Sequence, residues 1–207
     1  MFSSKTKDIL LFWLIAILSF GVAGYAIFGY LILTPGTTAS PAQIVTYAIY
    51  RTEIVLHALF ASIALILGAV QMNRKFREKF PKTNVIFRSI YFVSVIIGAI
   101  TGFLLAFHVQ GGLVNIIGFS MLAVVWMYSC IKSILALKNK DMPSFRVWIV
   151  RNYALTFSVV TLRIYLGIFF GTLGYLEFEN FYPTLGFLCW IPNIVFVEWF
   201  LLNKHKV

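Results

Sequence analysis

The sequence predicts an all-α, polytopic membrane protein, a bundle of six transmembrane helices with both termini in the cytoplasm. Apolar residues make up 60% of the 207 residues, charged residues only 12%, and the mean hydropathy is +0.89. This composition leaves too little polar surface to coat a water-soluble globule. A helix needs about 20 apolar residues to cross a bilayer, and six stretches reach that length. We therefore expect a single transmembrane domain over residues 1–207.

The six predicted spans are separated by short polar connections. They cover residues 9–33, 54–73, 87–108, 112–136, 147–171 and 181–203. The long first connection, TPGTTASPAQIVTYAIYRTE, is mildly amphipathic after Pro41 and is expected to form a short interfacial helix. The segment GYLEFENFYP, before the sixth span, is rich in aromatic residues and suits the boundary between membrane and water.

Basic residues lie almost entirely on one side of the predicted bundle. Of the 17 lysines and arginines, 15 fall near the N-terminus, around the second and fourth connections or in the tail. The opposite side has Arg51, and Arg163 lies within a span. The positive-inside rule therefore places both termini in the cytoplasm. The basic loops are able to bind anionic lipid, but their role as topology signals explains them sufficiently, and nucleic acid is not an expected partner.

The chain contains no motif of the common soluble enzymes. A P-loop, a GxGxxG turn, an HExxH helix and a GxSxG elbow are all absent from the sequence. Cys130 and Cys189 lack CxxC spacing and are predicted near opposite faces of the bundle, so we expect small core residues rather than a disulfide. Whether the protein is an enzyme stays open at this stage.

Two of the three histidines lie inside apolar segments. His57 is about one turn into the second span, and His108 closes the third. Because these two spans run in opposite directions, both rings are predicted at the same depth, near the outer face. Arg163 lies about 24 Å along the fifth helix at 1.5 Å per residue, also in the outer half. A buried arginine is costly and usually faces a partner or a wet cavity.

Other polar residues in the spans have simpler explanations. The small residues on the His57 stripe, such as Ala61 and Gly68, permit close helix packing or leave room for a flat cofactor. Arg151 and Glu198 are predicted to form an ion pair with a structural role. We expect Gln71 to hydrogen-bond a loop at the end of its helix.

The histidine pair is best suited to bind a haem iron. Two imidazoles on facing helices at matched depth are typical axial ligands, and an arginine is able to neutralise a haem propionate. We therefore predict His57 and His108 as axial ligands and Arg163 as the propionate partner, with aromatic residues such as Tyr91 in the surrounding walls. A proton relay, a zinc or copper site completed by Glu53, or two ordinary interfacial histidines remain open.

Three segments of the chain form a recognisable series: LHALFASIALILGAVQ, FREKFPKTNVIFRSIYFVSVIIGAITGFLLAFHVQGG and SFRVWIVRNYALTFSVVTLRIYLG. They resemble a family of bacterial membrane proteins known as domain of unknown function 2306, and the resemblance covers about residues 50–175. It implies location in a bacterial cytoplasmic membrane. The family's pattern has the same polar residue types at six positions of this chain: His57, Gln71, Tyr91, His108, Arg151 and Arg163.

The chain departs from the family's pattern at two places near the inner face. The pattern has a histidine and an arginine where this chain has Asn84 and Val85, and another histidine where it has Phe145. Four histidines in two layers would be similar to the architecture of the two-haem cytochrome b561 class, an analogy that does not fix function. Without the inner pair, this chain is expected to hold only the outer haem through histidines.

These observations lead to two expected functions. The first is a cytochrome b-like membrane redox protein that holds one haem b near the outer face and works with a quinone or a redox partner protein. The alternative is a small membrane transporter or ligand-binding protein without haem, whose polar cavity opens to the outside. A scaffold subunit is a third class, in which neither histidine matters to the activity of the partner complex.

Overall fold

The structure is a computed structural model that describes residues 4–33, 41–172 and 181–203, and every regular element in these ranges is helical. Six helices there are long and apolar enough to cross a membrane: Ile9–Ile32, Arg51–Met72, Pro81–Ala106, Gly112–Lys138, Met142–Thr172 and Tyr182–Leu202. The prediction of a multi-pass, all-α membrane protein is therefore confirmed. The third span begins earlier than predicted, because Pro81 starts the helix before the apolar run begins.

Eight α-helices precede the sixth span in the described residues, and all of them except α2 and α4 contribute to the first five spans. The helices are α1 (Ser4–Ile27), α2 (Pro41–Ile49), α3 (Arg51–Met72), α4 (Arg74–Lys79), α5 (Pro81–Ala106), α6 (Gly112–Lys138), α7 (Met142–Thr156) and α8 (Ser158–Thr172). A π-helical segment, Phe28–Ile32, continues α1. The sixth span consists of the short segments Tyr182–Thr184, Leu185–Leu188, Ile191–Phe196 and Val197–Leu202. The helix expected after Pro41 is present as α2.

Some predicted features lie outside the described residues. They are the stretch 34–40 of the first connection, residues 174–180 of the aromatic segment GYLEFENFYP, and Lys204, His205 and Lys206 of the tail.

Polar side chains mark the starts of the helices on the basic side. Asn73 precedes α4 and accepts a hydrogen bond from the main-chain nitrogen of Phe76 at 3.2 Å. Asp141 precedes α7 and accepts one from the main-chain nitrogen of Ser144 at 3.1 Å. Hydrogen bonding from the side chain of Ser144, and then from its main chain, lowers the pKa of the Asp141 carboxyl. These caps set where the chain turns back into the membrane. We call this end of the bundle the basic half, and the end that contains His57 the His57 half.

A tight turn in the His57 half joins α5 to α6. Gly111 has a φ of +93°, and a Cβ there would collide with the carboxamide of Asn115. The buried Asn115 amide nitrogen donates to the carbonyl of Tyr182 at 3.0 Å, and its oxygen accepts from the main-chain nitrogen of Gly186 at 2.9 Å. One side chain therefore holds the start of the sixth span against the start of α6.

The second to fifth spans form the core of the bundle. Helix α3 packs along α5, α5 against α6, and α6 against α7, while the first and sixth spans lie on the outside of this group. Gly68 of α3 permits the close approach of α7 and α5, because a Cβ there would overlap the ring of Tyr153 and lie 3.0 Å from the ring of Tyr91. The glycine thus serves helix packing, as small residues commonly do in membranes.

Asn152 of α7 is the centre of a buried polar network. Its amide nitrogen donates to the carbonyl of Trp126 at 2.9 Å and to the hydroxyl of Ser129 at 2.8 Å, both on α6. Its oxygen accepts from the hydroxyl of Tyr91 on α5 at 2.6 Å. All four residues are buried. Asn152 therefore joins three helices through hydrogen bonds that satisfy its whole carboxamide.

The network extends towards the His57 half and to the first span. The indole nitrogen of Trp126 donates to the hydroxyl of Thr156 at 2.8 Å, and that hydroxyl donates to the carbonyl of Asn152 at 3.0 Å. On the other side of α7, the hydroxyls of Tyr153 and Ser19 are 2.9 Å apart. The first span is therefore tied to α7 by a buried hydrogen bond.

The fifth span is interrupted at Phe157, between α7 and α8. On the basic side of Phe157, α7 is held by the Asn152 network and packs along α6. On the His57 side, α8 packs mainly against α1. The two halves of the fifth span therefore contact different neighbours, and α8 is separated from α6 in the His57 half.

We predict that Asn152→Ala destabilises the bundle by about 2 kcal/mol, because it leaves the buried Tyr91 hydroxyl and Ser129 hydroxyl with fewer partners. The measurement is unfolding of the purified protein in detergent, followed by heat or denaturant. Asn139→Ala at the exposed end of α6 is the matched control and should unfold like the wild type. Equal stability of all three proteins would contradict the central role of Asn152.

Candidate functional site

The helices of the His57 half surround a cavity of about 990 Å³. Its walls come from α1, α3, α5, α6, α8 and the sixth span. Trp126 and Thr156 lie at its base, where they form the upper end of the Asn152 network. These buried side chains separate the cavity from the basic half of the bundle.

Small residues of α3 and α5 line the cavity, and the two glycines of α5 leave room for neighbouring rings. Ala61, Gly98 and Gly102 all line it. A Cβ at Gly98 would lie 3.0 Å from the ring of Trp126, and one at Gly102 would lie 2.9 Å from the ring of His57. The small-residue stripe predicted on α3 therefore has two roles, since Gly68 serves helix packing and Ala61 borders open space.

His57 lies on the wall of the cavity with its ring held in place. Its Nδ1 is 2.9 Å from the carbonyl oxygen of Gly98 on α5 and 3.5 Å from the hydroxyl of Thr101. A carbonyl only accepts, so the bond to Gly98 places the proton on Nδ1. The other ring nitrogen is then an acceptor, able to receive a hydrogen bond or to ligate a metal.

Arg163 reaches the same cavity from α8. Its Nη2 donates to the hydroxyl of Tyr30 at 3.1 Å, and its guanidinium carbon lies 5.0 Å from the centre of the Tyr25 ring. Its Nε is buried and has no hydrogen-bond partner in the described part of the chain, and the same is true of the Tyr47 hydroxyl. The rings of Tyr30 and Tyr47 are stacked, with centroids 5.5 Å apart.

The described lining of the cavity carries a positive charge that no acidic side chain in it balances. That charge is the guanidinium of Arg163, and the described lining contains no aspartate and no glutamate. The remaining lining is mostly aliphatic and aromatic. The buried Nε of Arg163 is open to a hydrogen bond, and the guanidinium would attract an opposing charge placed there.

His108 does not face this cavity. Helix α5 ends at Ala106, so His108 lies in the turn beyond it rather than on the predicted helical face. Its exposed ring stacks on Tyr50 with centroids 3.8 Å apart, and it lines a smaller pocket of about 130 Å³. That pocket shares Tyr30 and Tyr47 with the large cavity. The structure thus brings His57 and Arg163 to one cavity and His108 to a neighbouring one.

The other predicted polar residues lie away from the cavity. Arg151 and Glu198 form an ion pair through two contacts, one of which, from Nη2 to Oε2, is 3.0 Å long. Gln71 donates to the carbonyl of Leu67 in its own helix at 3.2 Å, whereas a loop contact was expected. Tyr91 belongs to the Asn152 network rather than to the walls around His57.

The positions that depart from the family pattern have no polar role near the cavity. Phe145 is buried in the basic half, where the guanidinium of Arg88 lies 5.7 Å from its ring centre. Val85 is exposed. Within the described ranges, no three histidine, cysteine, aspartate or glutamate side chains are grouped closely enough to hold a metal ion.

Sequence reasoning missed several residues that build the site. Trp126 and Thr156 were not singled out, and Tyr30 was treated as part of an ordinary apolar span. A polar residue within a predicted span is a signal that the sequence does offer, and Asn115 and Asn152 are such residues. No signal in the sequence connects Tyr30 with Arg163, because these residues are 133 positions apart.

The six spans and the cavity define a polytopic α-helical membrane protein with space for a small molecule between its helices. The chain matches the model of the family described as predicted membrane protein DUF2306 over residues 54–201, and it belongs to that family. The match includes His57, His108 and Arg163 but not Tyr30 of the first span. Comparisons with curated proteins and with solved structures give no match.

Proposed function

We propose that the protein binds an amphipathic organic anion in the large cavity, as a small transporter or a ligand-binding membrane protein. The observation that carries this proposal is the Arg163 guanidinium, whose Nε is buried and unpaired among the described residues, in a described lining without acidic side chains. A carboxylate or phosphate group would restore both its charge balance and its hydrogen bonds. The aliphatic and aromatic walls suit the apolar body of the same molecule.

The size of the cavity and the shape of the fifth span support this function. A volume of about 990 Å³ lies near the upper end of the range of roughly 300–1,000 Å³ that is usual for small-molecule sites. The helix of the fifth span, Met142–Thr172, has a one-residue turn at Phe157, between Thr156 and Ser158, which both line the cavity.

We further propose that the His57 half faces the outside and that both termini lie in the cytoplasm of a bacterium. Of the described connections, those of the basic half contain most of the positive charge, including Arg74, Lys75, Lys138 and Lys140. The positive-inside rule assigns such connections to the cytoplasm. The cavity and the pocket beside His108 then lie on the outer side of the cytoplasmic membrane.

This orientation predicts opposite labelling of two single-cysteine substitutions. In intact cells, a membrane-impermeant maleimide should label His108→Cys, and it should label Lys138→Cys only after the cells are opened. Both native cysteines are buried, which keeps the background low. Labelling of Lys138→Cys alone in intact cells would show the reverse orientation.

The anion site predicts a charge-dependent loss of binding in Arg163→Gln. We expect decanoate to bind the wild-type protein in nanodiscs, and to bind Arg163→Gln about tenfold more weakly, the change that corresponds to roughly 1.4 kcal/mol. Decanol has the same chain without the charge, so its weaker binding should be nearly unaffected by the substitution. Isothermal titration calorimetry measures both ligands.

Arg51→Gln is the matched control for this experiment. Arg51 is an exposed arginine at the start of α3 and does not line the cavity, so its loss should leave decanoate binding unchanged. Equal loss in both variants would indicate a general surface charge effect. Undiminished decanoate binding by Arg163→Gln would contradict the site.

A haem-binding redox protein is the second candidate, and the ring of His57 is the observation that favours it. The bond from Nδ1 to the Gly98 carbonyl is typical of metal-ligating histidines, because it leaves the other nitrogen for the metal. His57 would ligate the iron, and Arg163 would hold a propionate. Bound haem would supply one-electron transfer, with a quinone or a redox protein as partner. The described residues fit one histidine ligand in the cavity, since His108 lines the neighbouring pocket.

The haem candidate predicts a Soret band and a reduced-minus-oxidised difference spectrum after the protein is supplied with haem. His57→Ala should abolish both, whereas His108→Ala should keep them. Loss of the spectrum in both variants would instead support the paired ligation that the sequence predicts. Absence of any haem spectrum from the wild-type protein would eliminate this candidate.

A further inference from the structure

The ring of His57 carries a hydrogen-bond acceptor that no described group of the protein uses. Its Nδ1 bears the proton and donates to the carbonyl of Gly98 at 2.9 Å. The Nε2 atom of the same ring therefore has a free lone pair, and within residues 4–33, 41–172 and 181–203 no donor is bonded to it. An anion held by Arg163 alone would leave this acceptor without a partner.

Gly102 of α5 leaves space beside the Nε2 side of the ring. A Cβ at this position would lie 2.9 Å from Cε1 of His57 and 3.9 Å from its Nε2, so a larger residue would crowd that edge. Gly102 and His57 both line the large cavity. A ligand in the cavity therefore has access to Nε2, whereas Nδ1 is occupied by its bond to α5.

The His57 ring and the Arg163 guanidinium lie at similar depth in the bundle. Ala23 of the first span and Leu65 of α3 belong to one packed cluster, which gives a common level. At 1.5 Å per residue, His57 is about 12 Å from Leu65 along α3, and Tyr30 is about 10 Å from Ala23 along the first span. The Tyr30 hydroxyl accepts from the Arg163 guanidinium. A ligand whose charge meets Arg163 would therefore bring the atoms next to that charge to the level of His57.

We propose that the ligand of the cavity is a hydroxylated amphipathic anion, whose hydroxyl lies near the charged end and donates a hydrogen bond to Nε2 of His57. This inference rests on the anion site proposed at Arg163 and specifies its class of ligand. Because Nε2 only accepts, the ligand must supply the proton, and an acceptor group at the same position gains nothing. His57 is then the residue that selects hydroxylated ligands.

The experiment compares four ligands of equal chain length by isothermal titration calorimetry of the protein in nanodiscs. They are decanoate, 3-hydroxydecanoate, 8-hydroxydecanoate and 3-fluorodecanoate. The better-bound enantiomer of 3-hydroxydecanoate should bind the wild type about fivefold more tightly than decanoate, the gain expected of one added hydrogen bond. The other two should show no gain, because 8-hydroxydecanoate has its hydroxyl far from the charge and fluorine donates no hydrogen bond. These comparisons need no variant that folds.

His57→Phe keeps a planar ring and removes both nitrogens, so it should bind 3-hydroxydecanoate and decanoate with equal affinity. His108→Phe is the matched control, since His108 lines the neighbouring pocket, and it should keep the fivefold difference.

Equal affinity of the wild type for decanoate and 3-hydroxydecanoate would overturn the inference and leave the Arg163 site standing. An undiminished difference in His57→Phe would do the same, and so would a gain of equal size from 3-fluorodecanoate or 8-hydroxydecanoate. Failure of the wild type to bind decanoate or any of its derivatives would instead overturn the proposed anion site, and the inference with it.

Discussion

The hydrogen bonds of Asn152 are the constraint on which the rest of the bundle depends. Polar groups in a bilayer have no water to bond, so each must find a partner inside the protein. Asn152 supplies three such bonds, to α5 through Tyr91 and to α6 through Trp126 and Ser129. Since these partners occupy defined positions, the bonds fix both the rotation and the depth of α7 against its neighbours. Apolar packing alone would permit many similar arrangements.

The cavity follows from where this constraint ends. Trp126 and Thr156 are the last members of the network, and just above them the fifth span breaks at Phe157. Helix α8 then packs against α1 instead of α6, and the gap that is left between α8 and α6 forms the cavity. The bond from Arg163 to Tyr30 crosses from α8 to the first span. A firm base and a lightly packed wall are features expected of a site that admits and releases a ligand.

The sequence was sufficient to predict the number, order and approximate bounds of the spans, because long apolar stretches and clustered charges are strong signals. It also singled out His57 and Arg163, which prove to line one cavity, because ionisable residues in spans are rare. The sequence was insufficient to place His108. Helix α5 ends at Ala106, two residues before the predicted end, so the ring of His108 lies in a turn rather than on a helix face. The turn at Phe157 could not be predicted, because no proline or glycine lies beside it in the sequence. It depends on contacts between helices that are distant in the chain.

The lining around Arg163 is mostly apolar, so its proposed ligand must bring both charge and apolar surface. Arg163 lies within the residues that the family model matches, whereas Tyr30 lies in a span that the match does not cover. The arginine therefore belongs to the matched part of the chain, and its partner does not.

Photo-crosslinking with a fatty acid that carries a diazirine near the end of its chain tests the central claim most directly. After illumination in nanodiscs and digestion, mass spectrometry identifies the labelled peptides. The proposed site predicts adducts on the cavity walls, around Ala61, Trp126 and Val159, that excess decanoate competes away. Adducts confined to exposed lipid-facing residues such as Trp13 and Trp199, with no competition, would contradict an anion site inside the bundle.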